Sequence, residues 1–271
     1  MNQFILQLGH NGLWYGIFPM LAKLPIKHGV STRLGGESRG PYASLNLGLH
    51  TGDNGDIVRK NRQRFCQVVG VEFQRVVTAQ QVHGDRVAVV SEEDAGKGSL
   101  EYSQAIGGTD ALVTNSVNLP LLMFFADCVP VMLVDPVQRV IGIAHAGWKG
   151  TIAKIAAKTL TTMQQTFGCN LSDCYAAIGP SIGPCCYEVD EAVTVKLQAA
   201  FTFWEQLLQP QGDRWRLDLW EANRRQLVAM GMPDQNIAVS RVCTACHREL
   251  FFSHRADKGL TGRLGALISL V

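Results

Sequence analysis

Apolar residues recur at helical spacing in four segments of the chain. In the first of these, Asp56 stands at the start and Gly70 at the end, where an acidic N-cap and a glycine C-cap are typical of a helix. In the second, apolar residues recur every three or four positions from Ile152 to Phe167 and stop at Gly168, which predicts one continuous helix. The four predicted helices cover residues 56–70, 150–167, 191–200 and 218–231.

Short apolar runs bounded by turn residues predict strands between these helices. The N-terminal segment FILQLGHNGLWYGIF (4–18) has the pattern of two short strands around a His-Asn-Gly turn. Strands and helices follow one another without regular βαβ alternation or a visible boundary, which favours a single α+β domain over residues 1–271 with a mixed sheet. The other predicted strands cover residues 75–78, 86–90, 110–114, 121–125, 129–135, 140–145, 174–178, 237–242 and 264–270.

The composition is that of a compact and nearly neutral protein. Of the 271 residues, 46% are hydrophobic and 18% are charged, and the formal net charge is +2. Because no segment forms a basic arm, a nucleic-acid partner is not expected. The uncharged stretches 1–22 and 111–126 are interrupted by polar residues such as Gln7 and Asn115, so neither is typical of an export signal or a membrane span. We therefore expect a cytoplasmic protein without a membrane partner.

The eight cysteines are expected to be reduced thiols, because a cytoplasmic chain with a large core needs no disulfides. The segment Cys243-Thr-Ala-Cys246-His247 matches the pattern for covalent haem attachment, but that attachment requires export, so we exclude it. The same two cysteines could form half of a zinc ribbon, although the sequence contains no matching second CxxC. For the adjacent Cys185 and Cys186 we expect a structural role.

Three apolar strands end in reactive polar residues beside glycine. These residues are His83, Cys128 and His145, in the segments TAQQVHGDRV (78–87), MFFADCVPVMLVD (123–135) and GIAHAGWKGT (142–151). Neutral imidazole and thiolate are preferred ligands of Zn²⁺, and three protein ligands leave a fourth position for water. Intervals of 45 and 17 residues exclude a local zinc finger, so the three would have to converge through the fold. On residue types alone, the alternative that Cys128 and the histidines are ordinary core residues stays open.

The segment from Gly147 to Thr151 leads from a predicted strand into the second predicted helix. The N–H groups at a helix N-terminus attract anions, and Lys149 would add a positive charge there. The alternative is a plain tight turn with a helix cap, because the spacing does not match a Walker loop. Lys149 is therefore a candidate for binding phosphate.

Nine motifs occur in the order in which they recur in one known family. They are HGVSTRLGGESRGPYASLNLGLHTGD (28–53), TAQQVHGDRV (78–87), GGTDALVTN (107–115), ADCVPVMLVDP (126–136), GIAHAGWKGT (142–151), AAIGPSIGPCCYEVD (176–190), LDL (217–219), CTAC (243–246) and FFSHRADKGLTGR (251–263). Over residues 28–271 the chain thus resembles the multicopper polyphenol oxidase (laccase-domain) family, also called peptidoglycan editing factor. That family is now described as a purine nucleoside phosphorylase with adenosine deaminase activity. Residues 1–27 form a hairpin-like extension outside the motifs.

The resemblance implies a four-layer α/β/β/α sandwich with mixed sheets, CNF-toxin/YfiH-like, which certain cysteine-dependent deamidases share. It also implies that His83, Cys128 and His145 are catalytic and bind a zinc ion, since they match the histidine of QQVHG, the cysteine of ADCVP and the histidine of HAGW. Copper would also bind this set in vitro, because Cu²⁺ outcompetes Zn²⁺ for most ligand sets. Two residues depart from the family pattern: Lys149 replaces the usual arginine, which removes bidentate geometry, and His254 replaces the usual tyrosine.

The function implied by the resemblance is phosphorolysis of adenosine, inosine and methylthioadenosine to free base and ribose 1-phosphate, with zinc-dependent deamination of adenosine. The expected partners are a small nucleoside and inorganic phosphate, and the oligomeric state stays open. Candidate phosphate or ribose contacts are Arg33, Ser44, Asn46 and Lys149. Ser44 and Asn46 could equally be turn formers, and Arg33 a surface ion pair. Asp127 is a candidate for proton transfer, although strand alternation points it away from Cys128 unless a bulge intervenes.

Three other functions stay open at this point. A metal-free cysteine hydrolase or deamidase would use Cys128 as nucleophile and His145 or His83 as base, with a peptidoglycan precursor as one alternative substrate. A copper polyphenol oxidase is disfavoured, because multicopper centres are typically built from His-x-His pairs and the seven histidines form none. A non-enzymatic binding role is the residual alternative.

Overall fold

The computed structural model describes residues 3–271; Met1 and Asn2, which begin the predicted N-terminal extension, lie outside the described residues. Over this range, no helix combines the length and the apolar character needed to cross a membrane. The α-helices are α1 (Gly55–Val69), α2 (Trp148–Ile152), α3 (Ile155–Phe167), α4 (Glu191–Ala200) and α5 (Leu219–Ala229). The strands are β1 (Ile5–Leu8), β2 (Trp14–Ile17), β3 (Ile26–Ser31), β4 (Val87–Val89), β5 (Ala111–Thr114), β6 (Leu121–Phe125), β7 (Val129–Asp135), β8 (Val140–Ala146), β9 (Tyr175–Ile178), β10 (Glu188–Val189), β11 (Leu208–Gln211), β12 (Arg214–Leu217), β13 (Ile237–Val239) and β14 (Leu264–Leu270).

These strands form two large sheets and one small one. The five-stranded sheet has the order β1-β2-β3-β14-β6 and is antiparallel throughout. The six-stranded sheet has the order β13-β9-β7-β8-β5-β4 and is mixed, because its outermost pair at each edge is parallel. The small sheet has the order β10-β12-β11. The prediction of mixed sheets therefore holds for the six-stranded sheet but not for the five-stranded one.

Side chains alternate in direction along each strand, and this alternation separates the core into layers. On β6, Leu121, Met123 and Phe125 lie in the cluster between the two large sheets, whereas Leu122 and Phe124 pack with the apolar face of α1. The side chains of β7 alternate in the same way between the opposite sheet and the helices α3 and α5. The layers are thus α1, the five-stranded sheet, the six-stranded sheet, and α3 with α5. The predicted four-layer α/β/β/α sandwich is confirmed.

The predicted continuous helix over 150–167 is wrong, because α2 and α3 are separated at Lys154, whose φ of 63° is left-handed. The side chains of Asn223 and Gln226 on α5 donate hydrogen bonds to the hydroxyl and the carbonyl of Thr151 on α2. Helix α3 packs on β8, on β5 and also on α5. Both helices thus contact β8 and α5, while α2 also contacts α4 and α3 also contacts β4.

Two smaller corrections concern local structure. Asn54, and not Asp56, caps α1, since its side chain accepts hydrogen bonds from the N–H groups of residues 56 and 57. The strand predicted over 75–78 is absent, and Val77 makes only an isolated bridge to Leu121. Strand β3 and the small sheet were not predicted; the strands of the small sheet have two to four residues and are too short for a clear alternation. The N-terminal hairpin of β1 and β2 extends the five-stranded sheet through β3.

Candidate metal centre and its cavity

Cys128 lies where the chain crosses from one large sheet to the other. Strand β6 ends at Phe125 in the five-stranded sheet, and β7 begins at Val129 in the six-stranded sheet, so Cys128 lies in the short turn between them. His145 lies on β8, which neighbours β7, and His83 lies in the loop before β4. The ligand atoms of the three residues lie within 4.8 Å of one another. The fold thus brings the predicted set together.

Left-handed backbone positions two parts of this site. Asp127 has a φ of 79° and His83 a φ of 59°, values that non-glycine residues adopt only when surrounding contacts hold them. The carboxylate of Asp127 accepts hydrogen bonds from the hydroxyl of Thr244 and from the N–H of Arg255, each at 2.6 Å. Both oxygens of Asp127 are therefore engaged in anchoring the turn, which leaves its predicted role in proton transfer without geometric support.

Asp110 organises both histidines from behind. Its buried carboxylate accepts a hydrogen bond from Nδ1 of His145 at 2.9 Å. It also accepts from the backbone N–H groups of Val82, His83 and Gly84, at 3.1, 3.0 and 2.7 Å. Because Nδ1 of His145 is engaged, its Nε2 is left for a metal or for Cys128. A carboxylate behind a histidine is a common arrangement in metal sites.

These contacts also set the charges of His145 and Cys128. Burial raises the pKa of Cys128, but the charges of His145 and His83 and hydrogen bonds from them outweigh burial and lower it to about 6. Burial lowers the pKa of His145, but Cys128 and Asp110 outweigh it and raise that pKa to about 9. At neutral pH and without a metal, the pair is a thiolate beside an imidazolium. A metal ion at this site requires the thiolate and neutral histidines.

Gly147 makes room for this group of side chains. A Cβ at this position would lie 2.8 Å from Sγ of Cys128 and 3.3 Å from Cδ2 of His83. The φ of Gly147 is −64°, which any residue adopts. Close approach of the two side chains, and not backbone conformation, therefore requires glycine here.

The three residues lie in the wall of a cavity of about 440 Å³. This volume is typical of small-molecule sites. The wall combines apolar and aromatic surface with two arginines and four histidines. Its residues are His50, Gln81, His83, Phe124, Ala126, Asp127, Cys128, His145, Gly147, Trp148, Ile182, Tyr187, Leu219, His254, Arg255 and Arg263.

The four predicted phosphate or ribose contacts are not among these residues. Arg33 lies at a separate pocket, where its guanidinium stacks on Phe252 at 4.6 Å and donates to the carbonyl of Arg248 at 2.9 Å. Lys149 is exposed, and its Nζ lies 5.7 Å from the ring centre of Trp148. These two roles stay predictions to which the cavity gives no support.

Ser44 and Asn46 lie inside the motif loop. The hydroxyl of Ser44 donates to the carbonyl of Arg33 at 2.9 Å and accepts from the N–H of Gly36 at 3.2 Å, which fits a turn former. Asn46 is fully buried, and its Oδ1 accepts a hydrogen bond from the N–H of Arg263 at 2.8 Å. Asn46 therefore positions a residue of the cavity wall without reaching the cavity itself.

Arg263 and Arg255 are candidate anion-binding residues that were not predicted from the sequence. Nη1 of Arg263 donates to the carbonyls of Thr261 and Gly262 at 2.9 and 3.0 Å, which fixes its guanidinium at the wall. Burial lowers the pKa of Arg263, while the charges of Cys128 and Asp127 oppose this effect. The guanidinium of Arg255 lies 5.2 Å from the ring centre of Tyr187. Two arginines in the one motif FFSHRADKGLTGR are the signal that could have found them.

The fold and this site define the class of protein. A family model described as multi-copper polyphenol oxidoreductase laccase matches residues 27–271, and the chain belongs to that family. The predicted family membership is therefore confirmed.

Particular relatives carry more specific names. A protein of Geobacillus stearothermophilus named purine nucleoside phosphorylase YlmD is 43% identical over 242 residues, which cover 89% of this chain and 88% of the relative. A prokaryotic protein named adenosine deaminase RL5 is 35% identical over 81% of this chain and 84% of the relative. The crystal structure of YlmD from Geobacillus stearothermophilus has a TM-score of 0.93 at 39% identity, and covers 100% of this chain and 99% of that one. The structure of the YfiH protein of Bacillus licheniformis has a TM-score of 0.94 at 39% identity, with full coverage of both chains.

Proposed function

We propose that this chain is a zinc-binding purine nucleoside phosphorylase that also deaminates adenosine. The observation on which the proposal rests is the convergence of His83, Cys128 and His145 in the wall of a cavity with the volume of a small-molecule site. The names of the relatives, purine nucleoside phosphorylase for one and adenosine deaminase for the other, support both reactions. The partners in this proposal are a nucleoside and inorganic phosphate, without nucleic acid or a membrane.

His83, Cys128 and His145 would hold the metal. Two imidazoles and one thiolate fit zinc, and a set of three protein ligands leaves one position for a small molecule. Bound there, zinc would supply Lewis acidity, which lowers the pKa of a coordinated water toward 7. Asp110 keeps the ring of His145 in the orientation and tautomer that a ligand needs. Copper would bind the same donors in vitro.

The remaining wall of the cavity contains both aromatic and cationic side chains. Phe124, Trp148 and Tyr187 offer aromatic surface against which a purine base would pack. Arg255 and Arg263 offer charge-assisted hydrogen bonds to phosphate. In phosphorolysis the bond from ribose C1′ to the base nitrogen breaks and a bond from C1′ to a phosphate oxygen forms. The arginines would hold phosphate for that displacement.

Assays with and without inorganic phosphate test the two reactions separately. Release of free base from inosine should require phosphate, whereas conversion of adenosine to inosine should not. Arg263→Ala should raise the KM for phosphate about 10–150-fold, the equivalent of one charge-assisted contact, and should affect deamination less. Arg33→Ala tests the sequence-based assignment. If Arg33 and not Arg263 binds phosphate, the KM for phosphate should rise in Arg33→Ala and stay unchanged in Arg263→Ala. Unchanged base release without phosphate would make the enzyme a hydrolase and end the phosphorylase proposal.

A metal-free cysteine hydrolase or deamidase is the second candidate, and one observation favours it. The lowered pKa of Cys128 beside the raised pKa of His145 is the charge state of a cysteine nucleophile with its base. That mechanism needs only one histidine, whereas His83 also converges on Cys128. Inhibition by a chelator that zinc reverses would support the metal enzyme. Turnover of an amide substrate by the chelated enzyme, blocked by alkylation of Cys128, would support the hydrolase.

Two further expectations enter this proposal. All eight cysteines are free thiols, which suits the reducing cytoplasm. A polyphenol oxidase with several copper ions has less support. Over the residues described, the groups able to hold a metal contain only two histidines, both in the set around Cys128.

A further inference from the structure

A second group of cysteines converges outside the cavity. Cys185, Cys186, Cys243 and Cys246 bring their sulfur atoms within 4.8 Å of one another. Sγ of Cys246 lies 3.4 Å from Sγ of Cys185 and 3.4 Å from Sγ of Cys186. The sequence contains no second CxxC, but the fold brings Cys185 and Cys186 next to the CxxC of residues 243–246 as two further sulfur ligands.

Two neighbouring loops, one after β9 and one after β13, hold the four sulfurs together. Ser181 and Cys243 form an isolated parallel bridge, and the N–H of Thr244 donates to the carbonyl of Ser181 at 3.0 Å. The N–H of Gly183 donates to Sγ of Cys243 at 3.2 Å. The carbonyl of Gly183 accepts from the N–H of Cys186 at 2.9 Å, which closes the turn that contains the vicinal pair. These backbone hydrogen bonds therefore fix both loops, and one of them is donated to the sulfur of Cys243.

We propose that these four cysteines form a tetrathiolate site for one zinc ion. In a regular tetrahedron with Zn–S distances of about 2.3 Å, the sulfurs lie about 3.8 Å apart. That separation falls between the 3.4 Å of the two closest pairs and the 4.8 Å that bounds the whole group. Binding of Zn²⁺ as four thiolates releases the thiol protons to solvent and changes no oxidation state. A disulfide would join only one pair and would not require four sulfurs to converge.

A set of four protein ligands leaves no open position, so this site would be structural. The site lies between two loops that contribute to the wall of the cavity or contact it. Ile182 and Tyr187, on either side of the vicinal pair, line the active-site cavity. Thr244, between the other two ligands, donates to the carboxylate of Asp127 beside Cys128. The ion would fasten two loops of the cavity wall to each other, whatever reaction the cavity catalyses.

Metal analysis of the full chain, loaded with Zn²⁺ and freed of excess, tests this site. The wild-type protein should hold about two zinc ions per chain, one at each group of ligands. Cys128→Ala removes a ligand of the cavity site, and Cys246→Ser removes one of the tetrathiolate site. Each variant should hold about one zinc ion, and the double variant should hold none. Cys66→Ala, at a buried cysteine on α1, is the matched control and should retain both.

A spectroscopic measurement keeps the test independent of how well Cys246→Ser folds. With Co²⁺ in place of Zn²⁺, Cys128→Ala should keep intense thiolate-to-cobalt absorption, and X-ray absorption of its zinc form should show about four sulfurs at about 2.3 Å. Zinc in Cys128→Ala with fewer sulfurs, or no zinc in that variant, would overturn the proposal. So would wild-type protein in which Cys246 is found in a disulfide with Cys185 or Cys186. Because Cys128→Ala isolates the second site, failure of the cavity site would not affect the result.

Discussion

The two groups of metal-ligating side chains differ in donors and in surroundings. The group of His83, Cys128 and His145 mixes two nitrogens with one sulfur and opens onto a cavity of about 440 Å³. The group that contains Cys185 and Cys246 offers four sulfurs, one of which accepts a hydrogen bond from a backbone N–H, and its four cysteines are not among the residues that line that cavity. Three ligands leave a position for chemistry, whereas four close the coordination shell. In the proposed assignment, the number of ligands and the space beside them, more than the presence of cysteine, separate the reactive site from the structural one.

Paired substitutions test this distinction most directly and should give the largest effect. Cys128→Ala should abolish both phosphorolysis and deamination while the melting temperature changes little. Cys246→Ser should lower the melting temperature and keep most of the turnover measured well below it. The measurements are kcat for both reactions and thermal unfolding of each zinc-loaded variant. Cys66→Ala should leave turnover nearly unchanged, and equal loss of activity in all three would mean that packing has been mistaken for chemistry.

The space at Gly147 provides the next test. Gly147→Ala places a Cβ about 2.8 Å from Sγ of Cys128, so the sulfur or the turn must shift. A displacement of about 1 Å at a reacting centre costs on the order of 100-fold in rate, so kcat/KM should fall by about that factor. Gly55→Ala is the control, because its Cβ would meet nothing closer than Nη1 of Arg59 at 3.4 Å. Normal activity and zinc content in Gly147→Ala would show that the cavity site is less tightly built than these distances indicate.

Much of the fold follows from the sequence. The bounds of β6, β7, β14 and α4 agree with those predicted, because these segments have clear apolar patterns between turn residues or caps. The break at Lys154 could not be predicted. Thr151, three residues before the break, accepts two hydrogen bonds from α5, which lies far away along the chain. The small sheet could not be predicted either, because its strands of two to four residues are too short to show an alternation of apolar and polar positions.

The two candidate sites could likewise be predicted only in part from the sequence. His83, Cys128 and His145 were found as chemical types at strand ends, but their convergence depends on the crossing between the sheets. The CxxC of residues 243–246 is a local pattern, whereas its partners come from a loop about 60 residues earlier. Asp110 could not be predicted as a functional residue, since an aspartate before a strand is common. Its role appears only when four donors are seen around one carboxylate.

Asp110→Asn measures how far the cavity site depends on its support. An amide is a weaker acceptor than a carboxylate for Nδ1 of His145, and loss of such support typically lowers metal affinity about 10–100-fold. Competition for Zn²⁺ with a chromophoric chelator should detect this change in the Cys246→Ser background, where only the cavity site remains. Asp135→Asn is the matched control, because Asp135 is equally buried but lies at the far end of β7. Equal zinc affinity in both variants would remove Asp110 from the metal site.

The smallest expected effect lies in the core, and it must be separated from acid loss of metal at the two proposed sites. His28 on β3 is buried, and its Nε2 accepts a hydrogen bond from the N–H of Phe18 at 2.9 Å. Burial lowers the pKa of His28 from 6.5 to about 4.

Below pH 6.5, His28 therefore binds a proton in the unfolded chain, whereas in the folded chain it stays neutral until the pH falls to about 4. The associated stability is present above pH 6.5 and is lost as the pH falls toward 4, by about 2 kcal/mol between pH 7 and pH 5. His28→Gln keeps an acceptor for Phe18 but does not titrate, so its free energy of unfolding should fall less over the same interval. Denaturant unfolding of both proteins at the two pH values cancels the metal contribution, which they share. Parallel losses would assign acid sensitivity to the metal sites alone.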